Sequence, residues 1–147
     1  MRTIRIQTEE FDVSAEIAAM TKDHANVGAV VTFTGHVRAD DDLTALTLEH
    51  YPGMTEEEIA RHIDEAEKRW PLLGATVIHR IGKLAPGDPI VLVAVASTHR
   101  QAAFSAAEFL MDYLKTRAPF WKEEQRGESK RWVEGKMSDE QSADRWK

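Results

Sequence analysis

Met111-Asp112-Tyr113-Leu114-Lys115-Thr116-Arg117-Ala118-Pro119-Phe120-Trp121-Lys122 is a stretch in which one element must stop and another begin. Proline lacks a backbone N–H and disfavours the helical conformation in the residue before it, so a helix entering this segment has to end ahead of Pro119. Phe104, Ala107, Met111 and Leu114 recur at helical spacing upstream and predict that helix. Lys115 then sits in its last turn, and Lys122 lies just past the break. The twelve residues hold three cations and three aromatic rings, in a chain whose net charge is −6. Such a junction gathers positive charge in a concave place, where a small anionic substrate fits.

Working outward, Ile90 to Ala96 is a continuous apolar run of seven residues, which predicts a strand covered on both faces. Ser97 or Thr98 is placed to cap the helix that follows. Ala75 to Ile81 alternates as a strand, and Pro86-Gly87-Asp88 reads as a turn. Thr55-Glu56-Glu57-Glu58 has the form of a capping box, so a helix starts there, with Ile59, Ile63, Ala66 and Trp70 near one face. Pro71 stops it. Gly28 to Arg38 and Leu43 to Tyr51 read as strands, the second with Leu46 and Leu48 on one face. Ile4 and Ile6 mark a short first strand, and Ser14 is the expected cap of a helix through Met20. Trp121 to Gln125 and Lys130 to Glu134 form a hairpin around Gly127, and residues 135–147 are a polar tail. Strands and helices are mixed without regular βαβ alternation. The expectation is an α+β class, a single domain over 1–147 with a mixed or antiparallel sheet packed by helices.

Composition narrows the function. The acidic balance argues against nucleic acid and anionic membrane as partners. No cysteine is present, which removes thiolate metal sites and a cysteine nucleophile together, so any sulfur handled here arrives on another molecule. The histidines are scattered without metal-ligand spacing, so no metal and no cofactor are expected. The N-terminal residues lack the apolar core of a signal peptide and no apolar run is long enough to span a bilayer, which makes the cytoplasm the expected location.

Three groups of residues could carry chemistry. Lys115 and Lys122 are ordinary snorkelling surface lysines or, near other cations and an apolar wall of Phe120 and Trp121, acid–base or covalent groups. His99-Arg100 stands where the apolar strand gives way to a helix, a place for an anion or merely a helix start with an exposed arginine. Gly35-His36-Val37-Arg38 ends a strand with a glycine that lets backbone approach a ligand, followed by a cation. Its plain alternative is a surface arginine.

Taken together, Val31 to Arg38, Leu46-Thr47-Leu48-Glu49-His50-Tyr51-Pro52-Gly53-Met54, Val77 to Gly82, Ser97-Thr98-His99-Arg100, Met111 to Lys122 and Arg131 to Glu134 resemble the catalytic, large subunit of molybdopterin synthase. The resemblance covers nearly the whole chain. It implies an α/β-hammerhead fold, a homodimer, and a small ubiquitin-like sulfur carrier ending in Gly-Gly, with two copies of each forming a heterotetramer. It implies sulfurtransferase activity: the carrier's C-terminal thiocarboxylate would supply two sulfurs to cyclic pyranopterin monophosphate, giving molybdopterin. Lys115 and Lys122 inherit catalytic and substrate-binding roles from it. His36, Val37 and Arg38 match a substrate-binding segment, His99 and Arg100 match substrate-binding residues from the other protomer, and Glu123 and Glu124 fall in the region lining the pocket. A non-catalytic docking module for a ubiquitin-like protein and a phosphate-ester hydrolase using His99 as base are the competing readings.

Overall fold

The computed structural model describes residues 1–40, 42–132 and 146. Eight strands and three helices follow in the order β1 (Arg2–Gln7), α1 (Val13–Thr21), β2 (Ala29–His36), β3 (Leu43–His50), α2 (Met54–Arg69), β4 (Leu72–Arg80), β5 (Gly82–Leu84), β6 (Pro89–Ser97), α3 (Arg100–Thr116), β7 (Phe120–Arg126) and β8 (Ser129–Trp132). They form two four-stranded sheets, β1-β4-β6-β2 and β5-β3-β7-β8. Among the described residues only β1 and β4 run parallel; the other neighbours are antiparallel. The α+β class expected from the irregular order of elements is the one observed.

The apolar run becomes β6, an interior strand of the first sheet. Val91, Val93 and Val95 face α2 and α3, while Leu92, Ala94 and Ala96 face the side that Met20 of α1 covers. Alternation is the reason: successive side chains leave opposite faces, so a strand covered on both must be apolar throughout. Helix α3 meets this sheet through Ala103, Ala106, Ala107, Leu110 and Met111. Its small side chains let the helix lie close. Phe104 keeps the expected helical spacing but points to solvent, 61% exposed, because the alanines one position before and two after it take the inward stripe.

Three expected caps are filled differently. Asp12, not Ser14, caps α1, its carboxylate accepting from Ala15 N at 3.1 Å. Helix α2 starts one residue early, after Gly53 at φ 85°, and the Glu56 carboxylate accepts from Gly53 N at 3.0 Å. Thr55 is therefore inside the helix, with its hydroxyl turned away to another part of the chain. Helix α3 has His99 at its N-cap with no side-chain cap, while the Ser97 hydroxyl donates to the Pro71 carbonyl at 2.7 Å.

The chain moves from the first sheet to the second at Gly82, whose φ of 88° suits a residue without Cβ. Helix α3 then runs back antiparallel to β6. Its C-terminal end therefore lies where β6 begins and β2 ends, and its N-terminal end lies beside Gly28. The predicted hairpin is present as β7 and β8, with Gly127 at φ 58° between them. Its end at Val133 and Glu134, and the tail from 135 to 145, lie outside the described residues.

Candidate active site

The break at Pro119 is built from both sides. Arg117 leaves the helix with its N–H donating to Tyr113 O at 2.7 Å, and Phe120 N donates to Ala118 O at 2.8 Å. The buried Thr55 hydroxyl donates to the Pro119 carbonyl at 3.1 Å and accepts from Tyr51 N at 3.1 Å. One side chain thus ties the start of α2, the end of β3 and the α3–β7 junction together. Lys115 stays exposed on the last turn of α3, and half-buried Lys122 is carried into β7.

Register decides what accompanies Lys122. In the antiparallel pair, Phe120 lies opposite His50, Lys122 opposite Leu48, and Glu124 opposite Leu46, all on one face. Trp121 and Glu123 point to the other face, where Trp121 meets Tyr51 with ring centroids 4.1 Å apart. Phe120 therefore supplies the apolar wall beside Lys122, and Trp121 does not. Glu123 is held away from Lys122 by the sheet itself. Glu124 shares the face but its carboxylate accepts from Arg126 at 3.2 Å. The same guanidinium donates to the Asp40 carbonyl at 2.9 Å and lies 3.8 Å from the Asp42 carboxylate, which ties Asp40 and Asp42 to β7.

His79 completes this junction from the first sheet. It follows Ala75 and Val77 on the face of β4 that looks toward α3, and its ring stacks on Phe120 at 3.9 Å. Burial pushes its pKa down to about 4, and the charges of Lys122, Lys115 and His50 push the same way. Register agrees: His50 lies opposite Phe120, Lys122 follows two residues on along the same face of β7, and Lys115 stands on the last turn of α3 just before the break. Its sequence signal was slight: a histidine ending an otherwise apolar alternation. His50 in turn lies 4.0 Å from the Glu56 carboxylate.

The segment His36-Val37-Arg38 leaves β2 at this same end of the first sheet, where His36 pairs with Pro89. His36 and Arg38 are exposed. Val37 is 3% exposed and packs with Leu46, Leu48 and Leu84. Its N–H donates to Asp88 O at 2.9 Å and its carbonyl accepts from Gly87 N at 2.6 Å. The side chain of Val37 is thus in the core and both its backbone groups are engaged within the chain. At Gly35 the room a Cβ would need is taken by the Val91 side chain 2.8 Å away, so this glycine serves internal packing rather than ligand approach.

His99 and Arg100 stand apart. They line an open hollow of about 470 Å³ with Gly28, Thr98 and Gln101 at the opposite end of α3. They stand at the start of the 17-residue helix that carries Lys115 near its end, a distance of roughly 22–24 Å at the usual rise per residue. Within one chain the two cation groups do not meet. A second cleft, about 450 Å³ between α2 and α3, includes Arg61, Lys68, Phe109, Tyr113 and Trp146 but none of the predicted site residues. Among the described residues no group of histidine and acidic side chains could hold a metal ion. Among them, too, no helix is long and apolar enough to cross a membrane.

Two joined sheets, with Lys115, Lys122, the stacked His79 ring and the exposed Arg38 at one end, define an α+β protein. Residues 6–117 match the family described as MoaE protein, and the chain belongs to that family. It is 62% identical over 148 residues, 99% of this chain and 93% of the relative, to a protein of Mesorhizobium japonicum named molybdopterin synthase catalytic subunit. Its structure is similar to that of the molybdopterin biosynthesis MoaE protein from Burkholderia ambifaria. That likeness has a TM-score of 0.87 and 46% identity, covering 99% of this chain and 98% of the other. The fold is shared, at 20% identity and TM-score 0.76 over 89% of this chain and 90% of the other, with a chain from Helicobacter pylori. That chain was solved in a complex of subunits 1 and 2 of molybdopterin-converting factor.

Proposed function

We propose that this chain is the catalytic subunit of a molybdopterin synthase. In this reading it converts cyclic pyranopterin monophosphate to molybdopterin, moving two sulfurs from the C-terminal thiocarboxylate of a small ubiquitin-like carrier subunit. The observation that carries the reading is the meeting of Lys115, Lys122 and Phe120 at one seam, assembled from α3 and the second sheet over His79 of the first. Cations there bind the phosphate and stabilise negative charge as sulfur attacks. A chain without cysteine needs its sulfur delivered, which suits a carrier. Lys115 is the essential group, as activator of the displacement or as a transient covalent partner. Lys122 holds the carrier's terminus or the substrate phosphate. The reading includes a cytoplasmic location.

A second copy of the chain belongs to this proposal. Strand β2 ends the first sheet, and its outer edge has no strand partner among the described residues. Two such edges paired antiparallel about a two-fold axis would set the Ala29 end of one strand beside the His36 end of the other. His99 and Arg100, next to Gly28, would then reach the partner copy's Arg38 and Lys115. Phe33, 41% exposed on that strand, and the exposed Phe104 suit the same interface. With one carrier per catalytic chain the assembly is a heterotetramer.

The test is conversion of the precursor in vitro with thiocarboxylated carrier. Lys115→Ala should fold and bind carrier while losing turnover; full activity in that variant would remove the catalytic assignment. Carrier binding without pterin turnover by the unaltered chain would favour a docking module instead. Phosphate release without carrier would favour a hydrolase.

A further inference from the structure

His79 is 6% exposed, yet it sits among the groups to which the proposed function assigns the chemistry. Its Nδ1 lies 2.8 Å from the Arg80 carbonyl oxygen. A carbonyl only accepts, so Nδ1 carries the hydrogen and, in the neutral ring, Nε2 is left as a lone pair. The stack on Phe120, at 3.9 Å and 21° between planes, fixes the ring from its flat side. The titratable groups that bear on it come from three other elements: Lys122 on β7, Lys115 on α3 and His50 on β3, with Glu56 of α2 behind His50. Arg80 is its neighbour in the chain. A second proton on this ring would add a positive charge to a crowded set of cations, away from water.

We infer that His79 is a positioning residue of the lysine site, a tautomer-locked neutral acceptor that sets the Lys115–Lys122 pair over Phe120 without adding charge. The inference rests on the reading of those lysines as the site. An imidazole in this state takes a hydrogen bond at Nε2 from an ammonium and repels none. It therefore permits two amines to stand close together on an apolar floor. A phenyl ring in its place would keep the stack and lose the acceptor. A glutamine would keep an acceptor near the Nε2 position and lose the stack.

Two measurements test this. The first uses the unaltered protein. Its histidine ring nitrogens, followed by NMR, should show one neutral ring protonated at Nδ1 and unchanged between pH 8 and about pH 5. A ring protonated at Nε2, or one titrating at the ordinary histidine value, overturns the inference. The second uses the reconstituted synthase. His79→Phe should lower kcat about tenfold or more with KM within about twofold, and His79→Gln should recover most of the loss. The lysine ammonium signal of Lys115 or Lys122 should move in His79→Phe. Unchanged kcat and unmoved lysine signals overturn the inference, as do equal losses in both variants that track their stability. If Lys115→Ala and Lys122→Ala both keep full turnover, the site reading itself has failed; the tautomer and the lysine shift then still decide whether His79 sets the pair.

Discussion

Replacing Thr55 with valine should loosen the seam at Pro119 without changing its shape. The two side chains are nearly the same size, but valine cannot donate to Pro119 O or accept from Tyr51 N, both 3.1 Å from the hydroxyl. Thr55 is fully buried, so water does not replace it. Each abandoned polar group costs about 1–3 kcal/mol. Tyr51 and Pro119 lie toward the surface, which places the total near the lower half of the sum, about 2–4 kcal/mol. In urea this lowers the unfolding midpoint by about 1–2 M for a chain of this size. Thr55→Ser keeps the hydroxyl and loses one methyl, so it should fall by only about 1 kcal/mol. Turnover adds a second readout, since Pro119 is followed at once by Phe120 and Lys122. At a temperature where Thr55→Val is folded, kcat should drop about tenfold or more from misplacement alone. A valine variant that unfolds with the serine variant and turns over normally would refute the tie between α2 and the α3–β7 junction.

Acid should weaken the fold through His79. Its pKa is depressed in the folded protein, to about 4, so between the ordinary value near 6.5 and about 4 the unfolded chain binds a proton that the folded chain refuses. Stability is therefore highest above that window and falls as pH drops through it, by roughly 3 kcal/mol in all. His62, depressed mainly by burial, acts in the same direction. Urea midpoints at pH 7 and about pH 4.5 should show a smaller acid loss in His79→Phe than in the unaltered protein, and equal losses would contradict the assignment. Val37 and Arg38 should separate cleanly. Val37→Ala opens a gap among Leu46, Leu48 and Leu84 and should cost about 2 kcal/mol, whereas Arg38→Ala should leave the urea midpoint unchanged and raise KM for the precursor.

Local chemistry made much of this molecule readable. Pro119 stops α3 wherever it stands, and the apolar run of β6 has to be covered on both faces. The same is true of Lys115 at a helix end. What escaped reading depends on partners far along the chain. Thr55 resembles a cap in its own neighbourhood, but its acceptor is 64 positions away. Phe104 has core spacing, but the sheet below prefers the alanines beside it. Glu123 and Glu124 look equivalent until the pairing of β7 with β3 assigns them to opposite faces. His79 was one of several scattered histidines until Phe120 came to lie against it. The distance between His99 and Lys115 shows the same limit: a motif can name two ends of a helix as one site although the fold of a single chain holds them apart.

The strand order β1-β4-β6-β2 also governs when this protein can begin to fold. Both early strands pair only with late ones: β1 with β4, and β2 with β6, roughly sixty residues after β2 ends. During synthesis at 5–20 residues per second, β2 waits about 3–12 s for its partner. For that interval its edge and its valines are uncovered, and the sheet is complete only when about two thirds of the chain has been made. A nascent chain stalled before β6 should bind chaperones through this segment, and one stalled after α3 should not.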